Sequence, residues 1–218
     1  MPEKHSIKHY EEEGIYHIFN RGIDKRDIFL DDQDYKYFLY LLKAYLTEMK
    51  DSDQDKGVSL LQRGRFKDKI DLLAYCLMPN HFHLLVKQTG LNDMSLFMRS
   101  LMTNYSMYFN KKYDRLGPLY QGVFKAILVK EDDYLLHLSR YIHLNPYVRE
   151  RHLKVRKEYT SYEDYLGLRN TQWVNTDLVL DYFKSDEVKE LHQTQNYKDF
   201  IEELVFDSGD YLGKYTID

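Results

Sequence analysis

Two histidines, His81 and His83, stand one residue apart in an otherwise apolar run. In a β-strand successive side chains point to opposite faces, so both imidazoles would lie on one face and Phe82 on the other. Two imidazoles side by side are a natural pair of ligands for a divalent metal. Two histidines with ordinary hydrogen-bond partners on a sheet would give the same short pattern. Considered alone, the pair suggests a metal site without establishing one.

Tyr141 and Asn145 are four residues apart in a stretch with helical spacing, which places them on one helix face. The phenol of Tyr141 could attack phosphorus, and the amide oxygen of Asn145 suits Mg²⁺ or Mn²⁺ beside two imidazoles. Tyr141 could also serve only in helix packing, and Asn145 could be a C-terminal cap before Pro146. His137 lies one turn before Tyr141 on the same face, where a base, a phosphate contact or a further ligand is conceivable.

The elements that would carry these residues follow from hydrophobic periodicity and turn signals. The predicted order is strand, helix, strand, strand, helix, strand, helix. The first six elements match the split βαβ, ferredoxin-like plan, an α+β fold with a four-stranded antiparallel sheet, and the third helix carries Tyr141. The strands are predicted at 16–20, 71–78, 81–87 and 123–129, and the helices behind Asp31, from Met94 towards Gly117, and from Asp132 to Pro146.

Three other segments complete the predicted organisation. Residues 50–64 form a polar loop without periodicity, and two weak helical stretches occupy 176–184 and 197–206. We expect a principal domain at 1–146, followed at 147–218 by a basic connector and a helical extension packed on the same domain.

Charge is distributed unevenly along the 218 residues. The formal net charge is −4, but residues 181–218 alone carry −6, so the first 180 residues carry +2. Basic residues are concentrated between Arg140 and Lys157, where Glu150 is the only acid. The negative total therefore does not exclude a nucleic-acid partner. The acidic C-terminus should take no part in the chemistry.

Two segments, CLMPNHFHLLV at 76–86 and RYIHLNP at 140–146, resemble the signature segments of the REP-associated tyrosine transposases, which are single-tyrosine HUH enzymes. Further similar segments lie between, before and after them: GPLYQGVFKAILVK, HIFNRG, TSYEDYLGL and WVNTDLVLDYF. The resemblance covers most of the chain. Three features depart from the family pattern: Val123 in place of a basic residue, the 50–64 insertion, and the NPYVRERH segment.

The resemblance implies a function and a site. His81 and His83 would be the metal ligands, Asn145 would complete the site, and Tyr141 would be the nucleophile. The enzyme would use Mg²⁺ or Mn²⁺ to cleave and rejoin single-stranded DNA at hairpin-associated sites through a 5′-phosphotyrosine. Its partner would be single-stranded or hairpin DNA, with no small-molecule substrate and no membrane. The chain would act as a monomer or homodimer in the bacterial cytoplasm, associated with the nucleoid.

Contacts to the DNA backbone are expected from basic residues near the site and in the segment after Tyr141: Arg21, Lys125, Arg140, Arg149, Arg151 and Arg156. Two other functions remain possible at this point. One is a catalytically silent protein that only grips DNA hairpins. The other is an RNA-binding module of the same sheet topology, which would need an open sheet face bearing aromatic side chains.

Overall fold

The computed structural model describes residues 10–48, 64–148, 159–185 and 196–202. Within them, four strands form one antiparallel sheet in the order β2-β3-β1-β4. The strands are β1 (Ile15–Arg21), β2 (Ile70–Met78), β3 (His81–Gln88) and β4 (Lys125–Val129). The principal helices are α1 (Asp32–Leu46), α2 (Asp93–Lys112) and α3 (Asp132–Val148). This order and pairing confirm the α+β, ferredoxin-like prediction.

The first face of the sheet is covered by α1 and α2. Phe82, the residue between the two histidines, points into this layer, and its ring centroid lies 5.3 Å from that of Phe38 on α1. Asp31 caps α1 by accepting hydrogen bonds from the backbone N–H groups of Gln33 and Asp34. The layer is fully apolar at its centre, so it fixes β3 with Phe82 inward and both neighbouring histidines on the opposite face.

The second face is covered by α3, whose apolar side packs on the central strands. Leu135, Leu138 and Ile142 are buried there together with Leu73 and Leu85. Because both faces are covered and β1, β2 and β3 are almost wholly buried, the described part has no open sheet face. The RNA-binding alternative required such a face and is not supported.

Short C-terminal elements complete the second layer. They are α4 (Tyr162–Tyr165), α5 (Asp177–Leu180), a 3₁₀ turn (Asp181–Lys184) and α6 (Tyr197–Glu202). The segment before α5 protects the β2 edge, because the Asn175 N–H donates to the Leu72 carbonyl at 2.8 Å and Thr160 bridges Cys76. Such cover removes an exposed strand edge that could otherwise pair with another chain.

The helix α6 packs against α3. The Tyr197 hydroxyl donates to Ser139 Oγ at 3.0 Å and lies 2.7 Å from His143 Nδ1. The other nitrogen of His143, Nε2, lies 2.7 Å from Ser161 Oγ, and burial lowers the pKa of this histidine to about 3. Part of the acidic C-terminus therefore supports the helix that carries Tyr141.

Three predicted boundaries differ from the structure. The helix α2 ends at Lys112 rather than near Gly117, because the chain turns at Asp114, whose φ is +47°. β4 begins at Lys125, two residues later than predicted. The helix α3 continues through Pro146 to Val148, since a proline near a helix end removes a single backbone donor.

Three predicted segments fall wholly or partly outside the described residues: nearly all of the 50–64 loop, most of the basic connector after 147, and the end of the 197–206 helix. No described helix combines the length and the apolar character that crossing a membrane requires.

Candidate active site

The two histidines of β3 face α3, as their spacing predicts. His83 pairs with Phe19 of β1, and His81 pairs with Arg21, at the end of the sheet where β1 finishes. Both imidazoles are fully buried, and their ring centroids are 5.0 Å apart. The pair therefore lies between the sheet and α3.

The last two turns of α3 bring Asn145 and Tyr141 over the same place. Asn145 Nδ2 lies 3.5 Å from His83 Nε2, and the Tyr141 ring stands perpendicular to the His83 ring at 5.4 Å between centroids. Tyr141 is half-buried, whereas Asn145 is 4 % exposed. Because α3 continues past Asn145, this residue is not the C-terminal cap that the sequence left open.

Asn80 determines which nitrogen of His81 can bind a metal. His81 Nδ1 lies 2.6 Å from Asn80 Oδ1, and Asn80 Nδ2 donates to the Lys25 carbonyl at 3.2 Å. Since the amide oxygen can only accept, the proton of His81 is on Nδ1 and the lone pair is on Nε2. The hairpin residue next to this candidate ligand thus fixes the tautomer of His81.

A third histidine, His17 on β1, belongs to the same cluster and was missed in the sequence. Its Nε2 lies 2.9 Å from His83 Nδ1, and the two rings stack with 5.1 Å between centroids. Burial lowers the pKa of His17 to about 3, so the ring is neutral at physiological pH. The available signal was the strand alternation, which places His17 and Phe19 on one face of β1.

The cluster has the donors that a small divalent cation requires. Among the described residues no group of three His, Cys, Asp or Glu side chains has the geometry to hold a metal ion, so the third protein ligand would have to be an amide. Asn145 Oδ1 is buried and has no hydrogen-bond partner in the described part of the chain. An orphaned buried oxygen is costly, and a cation beside His83 would satisfy it. His81, His83 and Asn145 therefore fit Mg²⁺ or Mn²⁺, with the remaining positions open.

Arg21 and Lys125 extend the site along the end of β1 and the start of β4. They border a small cleft of about 40 Å³, whose other lining residues are Phe19, Asn20, Gln121, Gly122 and Val123. Partial burial lowers the pKa of Arg21, while its attraction to the Tyr141 phenolate acts in the opposite direction. The guanidinium is thus within electrostatic reach of the phenol. Val123, where a basic residue was expected, is largely exposed.

The remaining predicted residues lie elsewhere or outside the described part. Arg140 is 1 % exposed, and its guanidinium stacks over the Phe200 ring at 4.8 Å, so its position does not fit the expected backbone contact with DNA. His137 lies against Phe200 on the same side, with Nε2 3.7 Å from Asp133 Oδ1. Arg149, Arg151 and Arg156 fall outside the described residues.

Comparisons with known proteins assign this arrangement to a class of DNA-processing enzymes. The family described as "Transposase IS200 like" matches residues 13–145, more than half of the chain and the whole of the sheet with both site segments. The chain belongs to this transposase family. A comparison with curated proteins gave no match.

Two solved structures are similar to this chain. The first is the REP-associated tyrosine transposase bound to a REP hairpin, with 13 % sequence identity, a TM-score of 0.50, and coverage of 79 % of this chain and 97 % of that chain. The second is a protein from Deinococcus radiodurans R1 that is provisionally described as a transposase. It has 16 % identity, a TM-score of 0.37, and coverage of 70 % and 98 %. At 13 % identity, the first match supports the fold alone.

Proposed function

We propose that this transposase is a metal-dependent nuclease and ligase of single-stranded DNA that acts through a phosphotyrosine at Tyr141. The observation that carries the proposal is the placement of Tyr141 and Asn145 directly over His83. A nucleophile and three neutral metal donors thereby share one partly enclosed space.

The reaction is an exchange of phosphate esters. The Tyr141 oxygen forms a bond to phosphorus, the bond from phosphorus to the 3′-oxygen breaks, and the phenolic proton leaves as the 3′-oxygen gains one. The 5′-phosphate stays on the tyrosine, so a second 3′-hydroxyl can reverse the step without an external energy source. A bound divalent metal would supply charge stabilisation for the non-bridging phosphate oxygens.

The chain's own residues contribute orientation and charge. His81, His83 and Asn145 would hold the cation, and α3 fixes the phenol relative to them. An unperturbed phenol has a pKa of roughly 10, so a nearby positive charge is needed to favour the ionised form. Arg21 would supply that charge and, together with Lys125, would contact a phosphate in the adjoining cleft, which is supported by its interaction with Tyr141 and by its position in the cleft wall.

The family and the structural neighbour support a proposal for the substrate class. That neighbour was solved with a REP hairpin, and we propose a hairpin with a single-stranded flank as the substrate here. We propose that the DNA backbone contacts Arg21 and Lys125, together with the basic segment that contains Arg149, Arg151 and Arg156.

The test is cleavage of labelled DNA and RNA hairpins by the full chain with Mn²⁺, with Mg²⁺ and with EDTA. We expect cleavage of DNA alone, loss of cleavage in EDTA, and the same loss in His81→Ala and His83→Ala, with DNA affinity changed only a few-fold. His137→Ala is the matched control on α3 and should cleave as the wild type does. Cleavage by His83→Ala in EDTA would disprove the metal assignment. DNA binding without cleavage under any condition would favour the silent hairpin-binding protein.

A further inference from the structure

The hydrogen bond between His17 and His83 has a direction that bears on metal binding. A single proton lies between His17 Nε2 and His83 Nδ1, which are 2.9 Å apart. If His83 donates, its lone pair is on Nε2. If His17 donates, His83 carries a proton on Nε2 and cannot bind a metal through that nitrogen. The position of this proton therefore decides whether His83 can be a ligand.

The surroundings of His83 favour the first arrangement. On the opposite side of the ring, the Nδ2 donor of Asn145 lies 3.5 Å from His83 Nε2, a long contact that favours an acceptor at that nitrogen. His83 then carries its proton on Nδ1 and donates it to His17. His17 is wholly buried between the sheet and α3, where water does not compete for this proton.

His17 incurs a cost in this arrangement that a packing residue would not. If its Nε2 accepts, its own proton is on Nδ1, and Nδ1 is buried without a hydrogen-bond partner among the described residues. A phenylalanine would fill the same space without burying that polar atom, but it would leave His83 Nδ1 without its acceptor. The hydrogen bond that His17 makes within the described residues goes to His83, so its polar ring serves that neighbour.

We propose that His17 is a positioning residue, which accepts the Nδ1 proton of His83 and so holds the His83 Nε2 lone pair towards the metal. This inference rests on the metal site of the proposed function and adds a residue to it. His81 has a corresponding partner in Asn80, at 2.6 Å. Each ligand is therefore oriented by its own acceptor, an amide for one and a buried imidazole for the other.

The experiment compares wild type, His17→Phe and His17→Gln as full-length chains. Phenylalanine keeps the ring and removes the acceptor, whereas the glutamine oxygen can take the place of Nε2. Calorimetric titration with Mn²⁺ alone gives the affinity. Nitrogen-15 spectra of histidine-labelled, metal-free protein give the His83 tautomer. Thermal melting in EDTA reports whether each variant is folded.

We expect His83 of the wild type to carry its proton on Nδ1. His17→Phe should bind Mn²⁺ about 10- to 100-fold more weakly, as is usual when the partner of a ligating histidine is lost, and its His83 should populate the other tautomer. His17→Gln should restore the affinity to within a few-fold. Melting temperatures in EDTA should change little for His17→Phe, because the variant removes one unpaired buried nitrogen on His17 and leaves another on His83.

Different results would contradict the metal site and the positioning role of His17. A wild-type chain that takes up no Mn²⁺ contradicts the metal site of the proposed function. A wild-type spectrum with the His83 proton on Nε2 overturns the role of His17, and this holds whether or not metal binds. Equal Mn²⁺ affinity in wild type and His17→Phe also overturns it. If His17→Phe does not fold, the wild-type spectrum and the affinity of His17→Gln still decide the question.

Discussion

Replacing Asn145 by leucine should stabilise the metal-free protein while removing its ability to bind metal. Leucine has the same number of side-chain heavy atoms but no polar group. In the structure Asn145 Oδ1 is buried without a partner among the described residues, and Nδ2 has only a 3.5 Å contact to His83. At 3.5 Å this contact is at most a weak hydrogen bond, so removing Nδ2 costs little stability.

The magnitude follows from the cost of a buried polar atom that lacks a partner. Removing Oδ1 should raise the free energy of unfolding by about 1–3 kcal/mol in EDTA. For a chain of this size, each kcal/mol raises the melting temperature by about 2–4 °C. With Mn²⁺ at 100 times its dissociation constant, the wild type should gain about 2.7 kcal/mol and Asn145→Leu should gain none.

Urea denaturation and thermal melting, each in EDTA and in Mn²⁺, compare the stability of Asn145→Leu with that of the wild type in the two solutions. Asn104→Leu on α2 is the control, because its Nδ2 donates to Tyr45 Oη at 2.7 Å and to the Ser100 carbonyl at 2.9 Å. That variant should be less stable in both solutions. If Asn145→Leu is also less stable in EDTA, the Asn145 amide is a structural group and the reasoning from its orphaned oxygen is refuted.

Further predictions concern the support of α3, the buried histidines and the nucleophile. Tyr197→Phe removes a hydroxyl with two buried partners and should lower the free energy of unfolding by about 1–3 kcal/mol. Tyr37→Phe, whose hydroxyl has no hydrogen bond in the described structure, should change it by less than about 0.5 kcal/mol, and urea denaturation compares the two. Because burial lowers the pKa of His143 to about 3, the unfolded chain takes up a proton near its ordinary pKa of about 6.5 while the folded chain does not. The stability due to His143 should therefore fall below about pH 6.5, by about 2 kcal/mol at pH 5, and His143→Gln should lack this loss in denaturation curves at pH 7 and 5. Arg21→Gln should slow single-turnover cleavage by about 10²-fold with a smaller effect on DNA affinity, and an unchanged rate would remove Arg21 from the activation of Tyr141.

The sheet and the principal helices were predictable because their apolar residues repeat at strand or helix spacing. The hairpin signal at Pro79-Asn80 predicted a strand from His81, and strand alternation places His81 and His83 on one face of it. The four-residue spacing of Tyr141 and Asn145 places them on one side of a helix. Local pattern alone determines such relations. That these two faces meet follows from the topology, in which α3 returns over the sheet after β4.

Relations that depend on distant packing were not predictable. Strand alternation gives the face of β1 on which His17 lies, but it does not show that His17 will stack on His83. His17 was therefore missed. Arg140 looked like the start of a basic DNA-binding segment, but α6 places Phe200 beneath its guanidinium and closes that side of α3. The acidic composition of the C-terminus likewise concealed Tyr197, which makes hydrogen bonds with α3.

The most direct test of the proposed chemistry is whether Tyr141 becomes covalently linked to DNA. Wild-type protein incubated with Mn²⁺ and a single-stranded substrate labelled on the 3′ side of the cut should give a labelled protein band that resists denaturation. Tyr141→Phe should bind the same DNA and give no band, whereas the control Tyr134→Phe, on the same helix, should form it. A band that persists in Tyr141→Phe, or wild-type cleavage without any covalent species, would contradict the account.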